Sequence, residues 1–168
     1  YEQVLTSKLV DVVKFEKLDL LHVHYAIPHA SAAYMAQQIL LDQNIKVPFI
    51  TTLHGTDITL VGKDPSFEPV INFSINHSNS VTAVSKSLKK ETEKLFKVQK
   101  KINVIPNFIC TQDYQLVNND FYKKRFAPNN EKIICHISNF RKVKRIQDVL
   151  AAFEIISKKI AVKLILVG

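Results

Sequence analysis

Two short strings in this chain combine residue types that have chemistry to offer. The first is Thr51-Thr52-Leu53-His54-Gly55-Thr56-Asp57, which follows the apolar run of residues 47–50. The β-branched and aromatic residues of that run fit a buried strand, which is expected to stop at polar residues and a glycine. In an open parallel sheet, ligands sit just past the carboxyl ends of the strands, where loops present side chains and free amides. His54 could share or shuttle a proton there near neutral pH. Gly55 lets the backbone approach a bound group or adopt φ > 0. The second string is Ser138-Asn139-Phe140-Arg141-Lys142-Val143-Lys144-Arg145, four cations between a strand end and a helix start. A helix N-terminus carries partial positive charge and free N–H groups that bind phosphate. Arginine as a bidentate fork and lysine as a point charge would extend such a site to a diphosphate. Each string has a plainer reading, as a polar turn with an incidental histidine and as a solvated basic turn.

His22-x-His24 places two imidazoles on one face of a strand, and His29, His54 and Asp57 follow. Such a set could hold zinc. However, no H-E-x-x-H and no cysteine pair supports it, and both histidines sit in an apolar strand. Core or pocket-lining histidines with no metal are the expectation.

Composition narrows the partners. Lys plus Arg is 23 against 15 for Asp plus Glu, a net charge of +8, which favours anionic ligands. A nucleic-acid partner would need a basic stripe with interleaved aromatics or a recognisable module, and neither is present. With only Gly55, Gly62 and Gly168 as glycines, there is no G-x-G-x-x-G and no Walker loop. No apolar run approaches the roughly 18–20 residues that span a bilayer, so no membrane insertion is expected. Cys110 and Cys135 form no C-x-x-C pair or disulfide framework, which points to a reducing, cytoplasmic setting. The hydrophobic fraction of 46% and charged fraction of 23% are those of a globular protein. The chain opens on Tyr1 in helical pattern and closes on a buried strand, and reads as a piece of a longer polypeptide.

The elements that must position these strings alternate. A helical stripe over residues 2–17 precedes a strand at 19–24 with little alternation, which suits a sheet covered on both faces. Pro28 marks a helix over about 29–41, with Ala32, Met35, Ala36, Ile39 and Leu40 as its apolar face. Pro48 enters the strand that ends at His54. Asp64-Pro65-Ser66 reads as turn and N-cap of a helix to about residue 77. A strand at 80–85 follows, whose last serine caps a helix at 86–97 with Leu88, Thr92, Leu95 and Phe96 inward. Another strand covers 102–105. From 109 to about 130 the pattern weakens, with turn signals at Asn118-Asn119-Asp120 and Pro128-Asn129-Asn130. A fresh strand at 132–138, a helix at 145–158 (Ile146, Val149, Leu150, Phe153 and Ile156 inward) and a strand at 162–167 complete the chain. Strands alternating with helices predict a parallel α/β sheet. The expected organisation is one Rossmann-like domain over 1–110, a linker or junction over 111–130, and the start of a second Rossmann-like domain over 131–168.

The strings HVHYAIPHA (22–30), TTLHGTDIT (51–59), VTAVS (81–85), PNF (106–108) and SNFRKVKR (138–145), in that order, resemble the retaining GT-B glycosyltransferases of family four. The likeness covers essentially the whole chain. It implies two Rossmann-like domains with the active site in the cleft between them, both incomplete here. It also implies a UDP-N-acetylglucosamine donor bound mainly by the C-terminal domain, an L-malate acceptor bound mainly by the N-terminal one, and no metal or other cofactor. That reaction is the first step of bacillithiol synthesis. By the same resemblance, His54 matches a histidine that contacts the donor sugar, and Tyr25 and Thr52 match acceptor contacts. Asn107 matches the P-N segment at the domain junction and Lys144 the lysine that grips the diphosphate; the resemblance makes Asn107, Asn139, Arg141 and Lys144 the expected donor-binding residues and His54 and Lys144 the expected catalytic ones. The usual partner of that lysine is an arginine at the position held here by Asn139, so Arg141 is taken as its substitute. A glycine-rich loop and a C-terminal acidic segment of the family lie outside this sequence, and the chain alone is expected to be inactive. A nucleotide-sugar donor and a small dicarboxylate acceptor are therefore the expected partners, with self-association left open. A related enzyme with another acceptor, or a non-catalytic nucleotide-sugar or nucleic-acid binding module, are the alternatives.

Overall fold

The structure is a computed structural model that describes residues 1–60, 62, 64–114 and 120–168. It divides into two compact units, Tyr1–Ile109 and Cys110–Gly168.

The first unit is a parallel four-stranded sheet in the order β1-β2-β3-β4, formed by Leu21–His24, Phe49–Leu53, Ser80–Ala83 and Ile102–Val104. Helices α1 (Glu2–Glu16), α2 (Ser31–Leu41), α3 (Glu68–His77) and α4 (Lys86–Leu95) accompany it. Side chains alternate across a strand, and here the alternation decides where the core lies. Leu21, Val23 and Phe49 pack with Val10 and Val13 of α1 and Ala33, Ala36 and Leu40 of α2. Leu53, Val81, Ala83 and Ile102 pack with Ile71 and Ile75 of α3 and Leu88 of α4. The intervening residues, His22, His24, Thr52 and Thr82, belong to the opposite face. Register holds them in rows, with His24 opposite Thr52 and Thr52 opposite Thr82.

That arrangement corrects the expectation of a β1 covered on both faces: Leu21 and Val23 are buried, whereas His22 and His24 are exposed. It corrects three helix faces as well. Met35 and Ile39 of α2, Leu95 of α4 and Leu150 of the later helix are exposed, while Ala33 is buried. A helical stripe read from sequence is broader than the groove that receives it, and neighbouring helices decide which edge stays wet. The strand ending at His54 runs on through Thr51 and Thr52 to Leu53, with Thr51 fully buried. Its hydroxyl bonds the Ser78 hydroxyl at 2.8 Å, which satisfies a polar group inside the core.

Local signals act where expected. The Asp64 carboxylate accepts from the Ser66 N–H at 2.9 Å ahead of α3. The Ser85 hydroxyl accepts from the Leu88 N–H at 3.0 Å and starts α4. Ser85→Ala therefore lowers the stability of the complete protein by about 1 kcal/mol. The urea midpoint measures this, and an unmoved midpoint would show that the cap contributes nothing.

The second unit contains a short helix α5 (Asp120–Phe126) and a parallel pair, β5 (Lys132–Ile137) with β6 (Val162–Val167). Helix α6 (Ile146–Ser157) connects the pair. Among its described residues, Ala127 is the one apolar side chain that is buried. α5 lies within the interval read as a linker. The turn expected at Asn118-Asn119 lies outside the described residues.

Candidate functional site

The carboxyl ends of β1 and β2 are tied together by a few polar contacts. The Tyr25 N–H donates to the Thr52 carbonyl at 2.8 Å and continues the strand pairing past β1. Tyr25 then turns sharply, at φ 77° and ψ 138°. A non-glycine residue in that region is strained by about 1–3 kcal/mol, and such strain persists only where surrounding contacts enforce it. Asp57 supplies one of those contacts. It is 3% exposed, its Oδ2 accepts from the Ala26 N–H at 2.7 Å, and its Oδ1 accepts from the Gly55 N–H at 3.1 Å. One buried carboxylate thus clamps the loop after β1 to the loop after β2. Gly55 has φ 112°, which explains the glycine between His54 and Thr56.

Held this way, the histidines gather. His24 Nδ1 and His54 Nε2 are 2.7 Å apart and share one hydrogen bond. His22 Nε2 bonds the Thr52 hydroxyl at 2.8 Å, and Thr52 bonds the Thr82 hydroxyl at 2.7 Å. The Tyr25 ring lies 5.1 Å from the His54 ring, centre to centre. His29 Nδ1–H donates to the His24 carbonyl. Partial burial, then the neighbouring imidazoles of His22, His54 and His29, hold the His24 pKa below the ordinary value of 6.5. A ring with a lowered folded pKa binds fewer protons folded than unfolded. Its stability contribution is complete above that ordinary value and is lost as pH falls below it.

A cavity of about 390 Å³ opens on this face, lined by His22, His24, Thr52, His54 and Thr82, with Ile105, Pro106, Asn107 and Phe108 closing one side. Of the residues expected at a site, His54, Thr52 and Asn107 meet here, and Tyr25 stands beside His54. His22 and His24 line the pocket, as one of the sequence readings had them. Thr82 has no sequence signal of its own as a site residue, and Asp57, which the sequence offered beside the histidines as a metal ligand, instead accepts two backbone N–H bonds. Thr82 is identified only by its register with Thr52, and Asp57 by its burial. Among the described residues, no group of three or more histidine, cysteine or acidic side chains is arranged to hold a metal.

The cationic string occupies the second unit. A 3-10 turn, Lys142–Lys144, leads into α6 through Arg145, which has φ 51°. A cavity of about 570 Å³ is lined by Phe140, Arg141, Lys142 and Arg145, with Ile146, Gln147 and Asp148. Lys144 lies in a separate, shallower depression with Arg145, Asp148 and Val149. Asn139 lies just ahead, and its carbonyl accepts from the Arg141 N–H at 2.6 Å. Arg145 is paired through Nε with Asp148. Arg141, Lys142 and Lys144 have no ion-pair partner among the described residues, so three of the four cations are available to an anion.

Residues 4–113 match the glycosyltransferase family 4 model, and the chain belongs to that family. It is 50% identical to the N-acetyl-alpha-D-glucosaminyl L-malate synthase of Bacillus anthracis, over 100% of this chain and 44% of that protein's length. The sucrose-phosphate synthase of Thermosynechococcus elongatus shares the fold, with a TM-score of 0.69 at 18% identity over 97% of this chain and 41% of that one. Anabaena HepE, solved in complex with UDP-glucose, has a TM-score of 0.61 at 14% identity over 97% of this chain and 51% of its own. Parallel sheets with flanking helices and these neighbours establish the GT-B fold class expected from the sequence. No helix among the described residues is long and apolar enough to cross a membrane.

Proposed function

We propose that the complete protein transfers N-acetylglucosamine from UDP-N-acetylglucosamine to L-malate with retention at the anomeric carbon, the first step of bacillithiol synthesis, in the cytoplasm. The observation that carries this reading is the 50% identity to the L-malate synthase across the whole chain. The gathering of His54, Thr52 and Asn107 on one cavity agrees with it. In this reading residues 1–110 belong to the acceptor domain, 111–130 form the junction, and 131–168 begin the nucleotide-sugar domain.

The residues take the following roles. His54 contacts the donor sugar, and Asn107 borders the same pocket. Tyr25 and Thr52 contact the acceptor. Lys144 and Arg141, with Asn139 beside them, bind the diphosphate. In front-face transfer, the UDP oxygen leaves as the malate hydroxyl attacks from the same side. The leaving phosphate takes up the hydroxyl proton, so the protein need supply no separate base. Its task is to stabilise charge growing on the diphosphate and to hold the malate hydroxyl in line.

Incubating the complete protein with UDP-N-acetylglucosamine and L-malate should release UDP only when malate is present. The sugar–malate product should show the α-anomeric coupling in its NMR spectrum. Parallel reactions with other hydroxy acids and with sugar acceptors test the choice of acceptor. UDP release with a different acceptor and none with malate would leave the family and remove the assigned reaction. A β-linked product would remove retention.

A further inference from the structure

His24 lies one residue before the tyrosine assigned to the acceptor, yet its most direct contact is with His54, thirty positions further along the chain. The 2.7 Å approach of His24 Nδ1 to His54 Nε2 is a full hydrogen bond, and a neutral imidazole offers one N–H and one lone pair. Either His24 donates and His54 carries its proton on Nδ1, or His54 donates and its Nδ1 is the acceptor. In both cases the nitrogen at the contact dictates what the other nitrogen of His54 can do. His54 Nδ1 has no hydrogen-bond partner among the described residues, which leaves it for a ligand.

Each ring has one aromatic neighbour besides the other, His22 beside His24 and Tyr25 beside His54. The backbone carbonyl of His24 is held by His29 Nδ1–H, and its ring lies 4.8 Å from the His22 ring. We propose that His24 is a positioning residue, which locks His54 in one tautomer and one ring orientation so that His54 Nδ1 meets the donor sugar in a fixed hydrogen-bonding role. The proposal rests on the glycosyl-transfer reading for the sugar, but the lock itself is a property of the two rings. Two positive rings would set N–H against N–H and break the contact. The titratable groups around the pair are His22, His29 and Tyr25 from β1 and its loop, and Asp57 from the loop after β2. Thr82, Val84, Ile105, Asn107 and Phe108, which reach the cavity from β3, β4 and the segments after them, do not titrate.

The test uses the complete protein, labelled with 15N at histidine, in wild-type form and as His24→Phe and His24→Asn. The asparagine amide can occupy the place of Nδ1, whereas phenylalanine keeps the ring and removes the bond. Two-bond 15N–1H spectra should show His54 as a single tautomer in the wild type and in His24→Asn, and as a mixture in His24→Phe. The kcat of His24→Phe should fall about tenfold with a shifted acid limb of the pH profile, and His24→Asn should recover most of it. A wild-type His54 tautomer pattern in His24→Phe would overturn the proposal, as would a His24→Asn no better than His24→Phe. If the tautomer changes as described in a protein that makes no sugar–malate product, the lock stands and the assigned reaction falls.

Discussion

Lys144→Ala in the complete protein is expected to lower kcat by about two orders of magnitude or more. Of the four cations in the basic string, Arg145 already spends its charge on Asp148. Lys144 has no ion-pair partner among the described residues and ends the turn that leads into α6. A donor aimed at charge that develops only as the bond to the diphosphate breaks is worth roughly 3–4 kcal/mol in the transition state, and much less in the ground state. The loss should therefore appear in kcat more than in the KM for the nucleotide sugar. Arginine at this position keeps the charge but not the compact point donor, so Lys144→Arg should recover activity only in part. Steady-state kinetics over a range of donor concentrations measures both effects. Full activity in Lys144→Ala would withdraw the diphosphate assignment and move it to Arg141 and Lys142, which line the adjoining cavity.

Asp57→Ala should destabilise the first unit by about 3 kcal/mol. Two backbone donors, the Ala26 and Gly55 N–H groups, end on this one buried carboxylate. Leaving a buried donor unsatisfied costs about 1–3 kcal/mol, and domains are stable by only about 5–15 kcal/mol. Asp57→Asn keeps the volume and one acceptor oxygen but turns an NH2 toward one of the two donors, so about half of the loss should remain. The clamp also holds Tyr25 in its strained conformation. Hydrogen exchange in the peptide containing residues 24–30 should therefore accelerate in Asp57→Ala before the sheet as a whole does. Unfolding curves and exchange rates equal to wild type would show that the two loops hold each other without the carboxylate.

The sequence carried its information unevenly. The alternation of strands and helices was readable because each period, two or 3.6, is written into a single segment. The caps at Asp64 and Ser85 were readable for the same reason, since donor and acceptor lie within three residues of each other. His54 and Gly55 could be singled out because their residue types suit few other tasks at a strand end. β1 misled because Leu-His-Val-His lacks the strongly polar residues that usually mark a wet face. Met35, Ile39, Leu95 and Leu150 misled because an apolar stripe says which side of a helix is greasy, not how wide the receiving groove is.

By itself, then, the sequence determined the order and kind of the elements other than α5, which it read as linker, most of the helix starts, and the glycine that permits φ 112° at the turn after His54. Each depends on interactions between residues close in the chain. Only the tertiary structure decided that His24 meets His54, that Thr52 links His22 to Thr82, that Asp57 joins two loops, and that Arg145 is engaged by Asp148. Most of these contacts join strands or loops about thirty residues apart, and are fixed by sheet register and by how turns are held against one another. The Arg145–Asp148 pair is the exception, a local i, i+3 contact at the start of α6.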